Sequence, residues 1–248
     1  MALFLNHNLA VTLEENLVQG SRELISAWDT FSASRSIQFL ALDDALAVYC
    51  GPDCSTNEVV GLGMTAPVTH STLDRVEKFY DTENHATLIR VCPLADPSLI
   101  NNLQTRGYVL KAFTYKWVLD LSSWQSQLKR SDERVRVVGP TDESDFVHTV
   151  AAGFADRDSI TLDTNLDLDR AFFRLQSGIP MIAYDAGEPA AAGMLALQGD
   201  VAALFDASTR LSFRNRGLQT ALLDSRLRYA QAHGCRIATI ETDPDSAS

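Results

Sequence analysis

Arg214-Asn215-Arg216-Gly217-Leu218-Gln219-Thr220-Ala221-Leu222-Leu223 stands between a strand-like run, Val201–Ala207, and a helical run that continues to about His233. A helix start presents backbone N–H groups with no intrahelical acceptor, together with the positive end of the helix dipole. Such a start holds an anion, and a glycine there lets a phosphate approach the backbone with no Cβ in the way. Gly217 supplies that glycine, and Arg214 and Arg216 add positive charge to a chain that is otherwise acidic. Leu218, Ala221, Leu222, Ser225 and Tyr229 form the stripe expected to face a sheet.

Outward from this segment the pattern stays regular. Val135–Val138 reads as a strand, and Thr141 caps a helix with apolar residues at 146, 147, 150, 151 and 154. A second helix carries Leu168, Phe172 and Leu175 and stops at Gly178. Met181–Tyr184, Ala190–Leu197 and Val201–Ala207 are strands joined by short turns, an antiparallel meander. The long helix then leads to a strand at Ile237–Glu241, parallel to the one before the helix. The fold class is α/β, of the α+β kind, with a mixed sheet.

The first half reads as a helix over Leu13–Trp28, strands at Ile37–Leu42 and Ala45–Tyr49, and a short strand near Val59–Val60. Ser71 caps a helix to about Tyr80, and Ala86–Val91 is strand-like. Asp96-Pro97 opens another helix, Gly107 ends it, and Tyr108–Leu119 is a strand rich in aromatic and β-branched residues. The polar stretch LSSWQSQLKRSDER, residues 121–134, marks the boundary. The expected domains are 1–122 and 135–248, with a linker over 123–134.

Composition excludes several classes of function. Lys and Arg number 21 against 32 Asp and Glu, a net charge of −11, which does not suit a nucleic-acid backbone. No apolar run is long enough to span a membrane, and MALFLNHNLA is a poor signal peptide, so a cytoplasmic location is expected. The cysteines at 50, 54, 92 and 235 are expected to be reduced, and the five scattered histidines give no metal site.

The segment from Arg214 resembles the acetyl-CoA signature of the GNAT superfamily of N-acetyltransferases, Q/R-x-x-G-x-G/A. Arg214 and Gly217 match it, while Gln219 stands where a small residue is usual. The meander, the long helix and the next strand also follow the GNAT order. In the first half, VCPLADPSLINNLQTRGYVLKAFTYKWVL resembles the closing strand–helix–strand of the same fold. Where a cofactor motif should stand, GLGMTAPVTHSTLDRV only imitates a glycine-rich fingerprint, with Pro67 interrupting it. The resemblance therefore implies two GNAT-like domains, the first degenerate and shaping the acceptor cleft.

The resemblance further implies acetyl-CoA as co-substrate, with its pyrophosphate on Arg214, Asn215, Arg216, Gly217, Leu218, Gln219 and Thr220. Its pantetheine arm would run along Ala207, Thr209 and Leu211, where two strands of the fold splay apart. The implied reaction is direct acetyl transfer to the primary amine of a small molecule, with Asp206 and Glu241 as candidate bases. A non-catalytic acyl-CoA-binding or regulatory protein is the alternative, and the oligomeric state stays open. The family's usual general acid is a tyrosine on a helix after the last strand read here, and the sequence stops at Ser248 before that helix and the strand following it. A truncated chain with an uncovered sheet edge is the resulting expectation.

Overall fold

The computed structural model describes residues 6–31, 37–161 and 165–244. The chain divides between Ala112 and Phe113 into two compact units.

In the N-terminal unit, Asn6 caps α1 (His7–Trp28) by accepting from the Leu9 N–H at 3.0 Å. Strands β1 (Gln38–Leu42), β2 (Ala45–Tyr49) and β3 (Val59–Val60) form an antiparallel sheet in that order. Helices α2 (His70–Thr82) and α3 (Pro97–Thr105) close a core around Leu73, Val76, Tyr80 and Leu99. Asp96 caps α3 as the Asp-Pro pair predicts. Thr69, rather than Ser71, caps α2. Ala86–Val91 does not form a strand, since Ile89 makes only an isolated bridge to Val59. Cys50 and Cys54 are joined in a disulfide, not reduced. Gly51 at φ 116° and the turn closed by Cys54 N–H on the Gly51 carbonyl bring their Cα atoms to 5.8 Å, within disulfide reach. Cys92 and Cys235 take part in no disulfide among the described residues.

The C-terminal unit is built on six strands. They are β4 (Tyr115–Asp120), β5 (Val135–Val137), β6 (Gly178–Asp185), β7 (Glu188–Gln198), β8 (Val201–Thr209) and β9 (Ile237–Thr242). Their order is β4-β9-β8-β7-β6-β5, and only β8 and β9 run parallel, across the helix α6 (Leu218–Ala232). Leu218, Leu222 and Leu227 of α6 pack on Met181, Ala183, Leu195, Leu204 and Ala238. Helices α4 (Glu143–Phe154) and α5 (Asp167–Phe173) cover Ile182, Ala192 and Met194, whose place in the alternation is the opposite face. Thr141 lies in a short 3₁₀ turn and does not cap α4; the Asp142 carboxylate instead accepts from the Gly139 N–H. Helix α5 ends before Gly178, which starts β6.

The domain boundary differs from the expected one. Only 115–119 of the Tyr108–Leu119 run is strand, which continues to Asp120 and belongs to the second sheet, pairing antiparallel with β9 from Tyr115↔Thr242 to Asp120↔Ile237. The polar stretch after it is no free linker. Leu121 is fully buried, and Gln231 of α6 donates to the Leu121 and Trp124 carbonyls at 2.8 and 3.1 Å. Arg228 holds the Leu128 carbonyl at 2.6 Å. These backbone acceptors strap a polar segment to the helix without any apolar pattern. Strand β4 also occupies the β9 edge that was expected to be uncovered. Among the described residues no helix is long and apolar enough to cross a membrane.

Candidate functional site at the parting of two strands

Strands β8 and β9 pair from Val201↔Ile237 to Leu204↔Ile240 and then separate. Beyond that point, among the described residues, β8 pairs only with β7 and β9 only with β4. A bulge at this point supplies the bend: the β7–β8 register shifts between Ala192 and Met194, where Asp206 and Ala207 together oppose Gly193. Asp206 takes the left-handed conformation, φ 51°. Gly193 makes room, because a Cβ there would stand 3.0 Å from both the Ala207 Cβ and Arg226 Nη1. Among the described residues no strand pairs with Phe205–Thr209 on the side away from β7.

The start of α6 follows directly from this parting. Gly217 is its N-cap at φ 74°, and Asn215 just before it has φ 59°. The first helical bond runs from the Ala221 N–H to the Gly217 carbonyl, so the N–H groups of Leu218, Gln219 and Thr220 precede the helical ladder. Nothing lies within 4 Å of where a Gly217 Cβ would be, and Thr220 is exposed beside it. Gln219 is half-buried, with its Oε1 buried and lacking a hydrogen-bond partner.

The two arginines point elsewhere than into the loop. Arg214 Nη2 donates to the Gly153 carbonyl at 2.9 Å and to Asp156 at 2.5 Å, and its Nε to the Thr209 carbonyl at 3.2 Å. Arg216 pairs with Asp185 at 2.5 Å and lies over the Phe213 ring. What the loop presents is therefore chiefly backbone N–H groups and the positive end of the helix dipole. Thr209 ends β8 with its hydroxyl buried and unpaired, while Leu211 is half exposed at the start of the turn Leu211–Phe213.

Of the two candidate bases, Glu241 forms an ion pair with Lys116 across β9 and β4 at 3.2 Å. Asp206 sits at the bulge itself, with Oδ2 buried and without a hydrogen-bond partner. Burial first, and then the nearby Asp169 carboxylate, raise its pKa well above the ordinary range, against a pull downward from Arg226. Burial likewise pushes Asp169 up to about 6, with its own backbone N–H and Arg170 opposing. Arg226 is pushed down to about 10 by burial, with Asp206 opposing. Its guanidinium donates to the Met194 and Leu222 carbonyls at 3.1 and 3.3 Å, not to a carboxylate.

Sequence reasoning missed Arg226, and it reached Asp169 only as the end of the acidic stretch Asp156–Asp169, which could attract an ammonium group but is more often a solvated loop and helix start. For Arg226 a signal existed: Leu218, Leu222, Arg226 and Ala230 recur every four residues, so the arginine occupies a place on the buried stripe. Ser225 and Tyr229, expected on that stripe, are only half-buried. Asp169 stood inside the acidic stretch 156–169, of which 162–164 lie outside the described residues, and nothing in the pattern set it apart.

The C-terminal unit is thus a mixed α/β sheet whose two parallel strands separate beside a glycine-capped helix start. Residues 149–248 match the sequence profile of the acetyltransferase (GNAT) family. A GCN5-related N-acetyltransferase from Kribbella flavida superposes with a TM-score of 0.60, covering 95% of this chain and 88% of that one at 14% identity. One from Sphaerobacter thermophilus gives 0.55 at 13% identity, covering 82% and 65%. A functionally unknown conserved protein from Staphylococcus epidermidis gives 0.54 at 9% identity, covering 89% and 88%. At these identities the likeness is one of fold. No curated protein matches the chain.

Proposed function

We propose that the C-terminal unit binds acetyl-CoA and transfers its acetyl group to the primary amine of a small molecule. The observation that carries this reading is the parting of β8 and β9 after Leu204 and Ile240, directly beside the Gly217-capped start of α6. The N–H groups of Leu218, Gln219 and Thr220, with Asn215 and the Arg214 and Arg216 backbone, would hold the pyrophosphate. The pantetheine amides would pair with the backbone freed along Ala207, Thr209 and Leu211, and an N–H of that edge would face the oxyanion formed on attack.

Asp206 is the better candidate base, since Glu241 is already paired with Lys116. A carboxylate whose pKa is raised by burial accepts a proton from an ammonium more readily than a solvated one. The degenerate, GNAT-like character of the N-terminal unit and the cytoplasmic location belong to the same proposal.

Calorimetric titration of acetyl-CoA into the full chain and into Gly217→Glu tests it. A carboxylate placed against the pyrophosphate should weaken binding about 100-fold or more with little loss of fold. Equal affinity in the two proteins would remove the loop from the site. Binding without turnover of any primary amine would favour the non-catalytic alternative.

A further inference from the structure

Cys50, Gly51, Pro52, Asp53 and Cys54 close a small ring between β2 and β3, and hydrogen bonds rather than the disulfide give that ring its shape. The hub is Asn57, which is only 3% exposed. Its Oδ1 accepts from the Cys50 N–H at 2.8 Å, and its Nδ2 donates to the Gly51 carbonyl at 2.6 Å. The Cys54 N–H donates to the same carbonyl at 3.2 Å, and the Asn57 N–H to the Cys54 carbonyl at 3.3 Å. Below the ring, the Val48 N–H meets the Glu58 carbonyl at 3.2 Å, and the strands pair at Ala47↔Val59 and Leu46↔Val60. None of these contacts passes through sulfur, so opening the S–S bond leaves them in place. A ring this short also restrains the unfolded chain less than a long one does, so the bond adds less stability than a long-range cross-link would.

The two sulfurs differ in access and share one donor. Cys50 is buried, whereas Cys54 is half-buried between exposed Asp53 and Ser55. The Thr56 hydroxyl lies 3.1 Å from Cys50 Sγ and 3.2 Å from Cys54 Sγ. A disulfide sulfur has no hydrogen to give, so the hydroxyl is the donor. In the reduced chain the Cys50 thiol has an acceptor in place, Asn57 Oδ1 at 3.5 Å.

We propose that Cys50–Cys54 is a reversible thiol–disulfide exchange site for an external dithiol, with Cys54 the sulfur attacked, Cys50 the leaving thiolate and Thr56 its hydrogen-bond donor. A thiolate of the dithiol attacks Cys54 Sγ, the S–S bond breaks, and its electron pair leaves on Cys50 Sγ. The second thiolate of the dithiol then attacks its own sulfur in the mixed disulfide and releases the Cys54 thiolate. The dithiol ends as a disulfide, the pair has gained two electrons, and the two protons shed by the dithiol end on Cys50 and Cys54. A hydroxyl hydrogen bond to the departing Cys50 thiolate makes it the better leaving group. Held by Asn57, the two thiols stay close and ready to close again. The site belongs to the N-terminal unit and does not depend on the transferase reading.

The test uses the oxidised full chain without denaturant at about pH 8, where thiolates are available, and dithiothreitol as the dithiol. Alkylation and peptide mass spectrometry should show the pair fully reduced, and hydrogen exchange should show the Val48 and Asn57 amides still protected. Brief alkylation of the reduced chain should label Cys54 before Cys50, and phenylarsine oxide, which bridges paired thiols, should capture the two together. Thr56→Val should slow reduction about tenfold or more, and Thr56→Ser should restore the rate. A pair reducible only in denaturant, or loss of the Val48 and Asn57 protection on reduction, would overturn the proposal. Labelling of Cys50 first, no capture of phenylarsine oxide, or an unchanged rate in Thr56→Val would do the same.

Discussion

Gly61 and Gly217 share a backbone conformation, φ 80° and 74°, and each belongs to a glycine-bearing run that could pass for a phosphate loop. Their surroundings are opposite. A Cβ on Gly61 would stand 2.6 Å from Val18 Cγ2 and 3.1 Å from the Asp44 carbonyl, so the space is filled by the protein's own atoms. Gly63 is also enclosed, by Val68 and Leu99. Around Gly217 the space is empty, and the helix starts at the next residue, whereas α2 starts only at His70, beyond Pro67. A glycine at positive φ therefore has two uses. At Gly61 it admits a neighbouring side chain; at Gly217 it leaves open space at a helix start.

The sharpest way to break this comparison is Gly61→Val. The new side chain meets Val18 and the Asp44 carbonyl in a conformation that β-branched residues avoid, so stability should fall by about 3 kcal/mol. Denaturant unfolding of the full chain measures it, and a loss below about 1 kcal/mol would mean that the site gives easily. Acetyl-CoA affinity of the folded protein should not change.

The next effect belongs to the open side of the comparison, where buried charge weakens the fold. Asp169 titrates at about 6 in the folded chain against 3.8 when unperturbed. Its folded pKa is raised, so its favourable contribution is full below pH 3.8 and lost as the pH rises through about 6. Asp169→Asn should therefore be more stable than wild type by about 2 kcal/mol at pH 8, allowing for its partial exposure, with the gain vanishing near pH 4. A gain independent of pH would show that charge is not its source. The smallest effect is expected at Asp156, largely exposed beside Arg214. Asp156→Asn should alter stability by less than about 0.5 kcal/mol in the same unfolding measurement.

Much of this was legible in the sequence where local chemistry decides the structure. The Asp96-Pro97 cap, the meander strands and the helix start at Gly217 each carry their signal within a few residues. The last strand of the sheet order was not legible for a different reason. Tyr115–Asp120 looks like a strand, but its partner is chosen by β9, far away in the chain, and no local pattern records that choice. Residues 121–128 misled because their anchors are backbone carbonyls, which have no identity in a sequence. Asp206 could be named as a candidate, but the bulge that aims it depends on Gly193 in the neighbouring strand.

The pairing of β4 with β9 also sets an order on biosynthesis. Trp117 donates to Thr242, a residue 125 positions later. At common translation rates β4 leaves the ribosome on the order of 10 s before its partner exists. During that interval Tyr115, Trp117 and Leu119 form one apolar face of an unpaired strand, with Lys116 and Asp120 on the other. Those two charges act as gatekeepers against self-association while the strand waits. The sheet cannot close vectorially from its N-terminal side, and the unit becomes whole only when translation reaches Thr242.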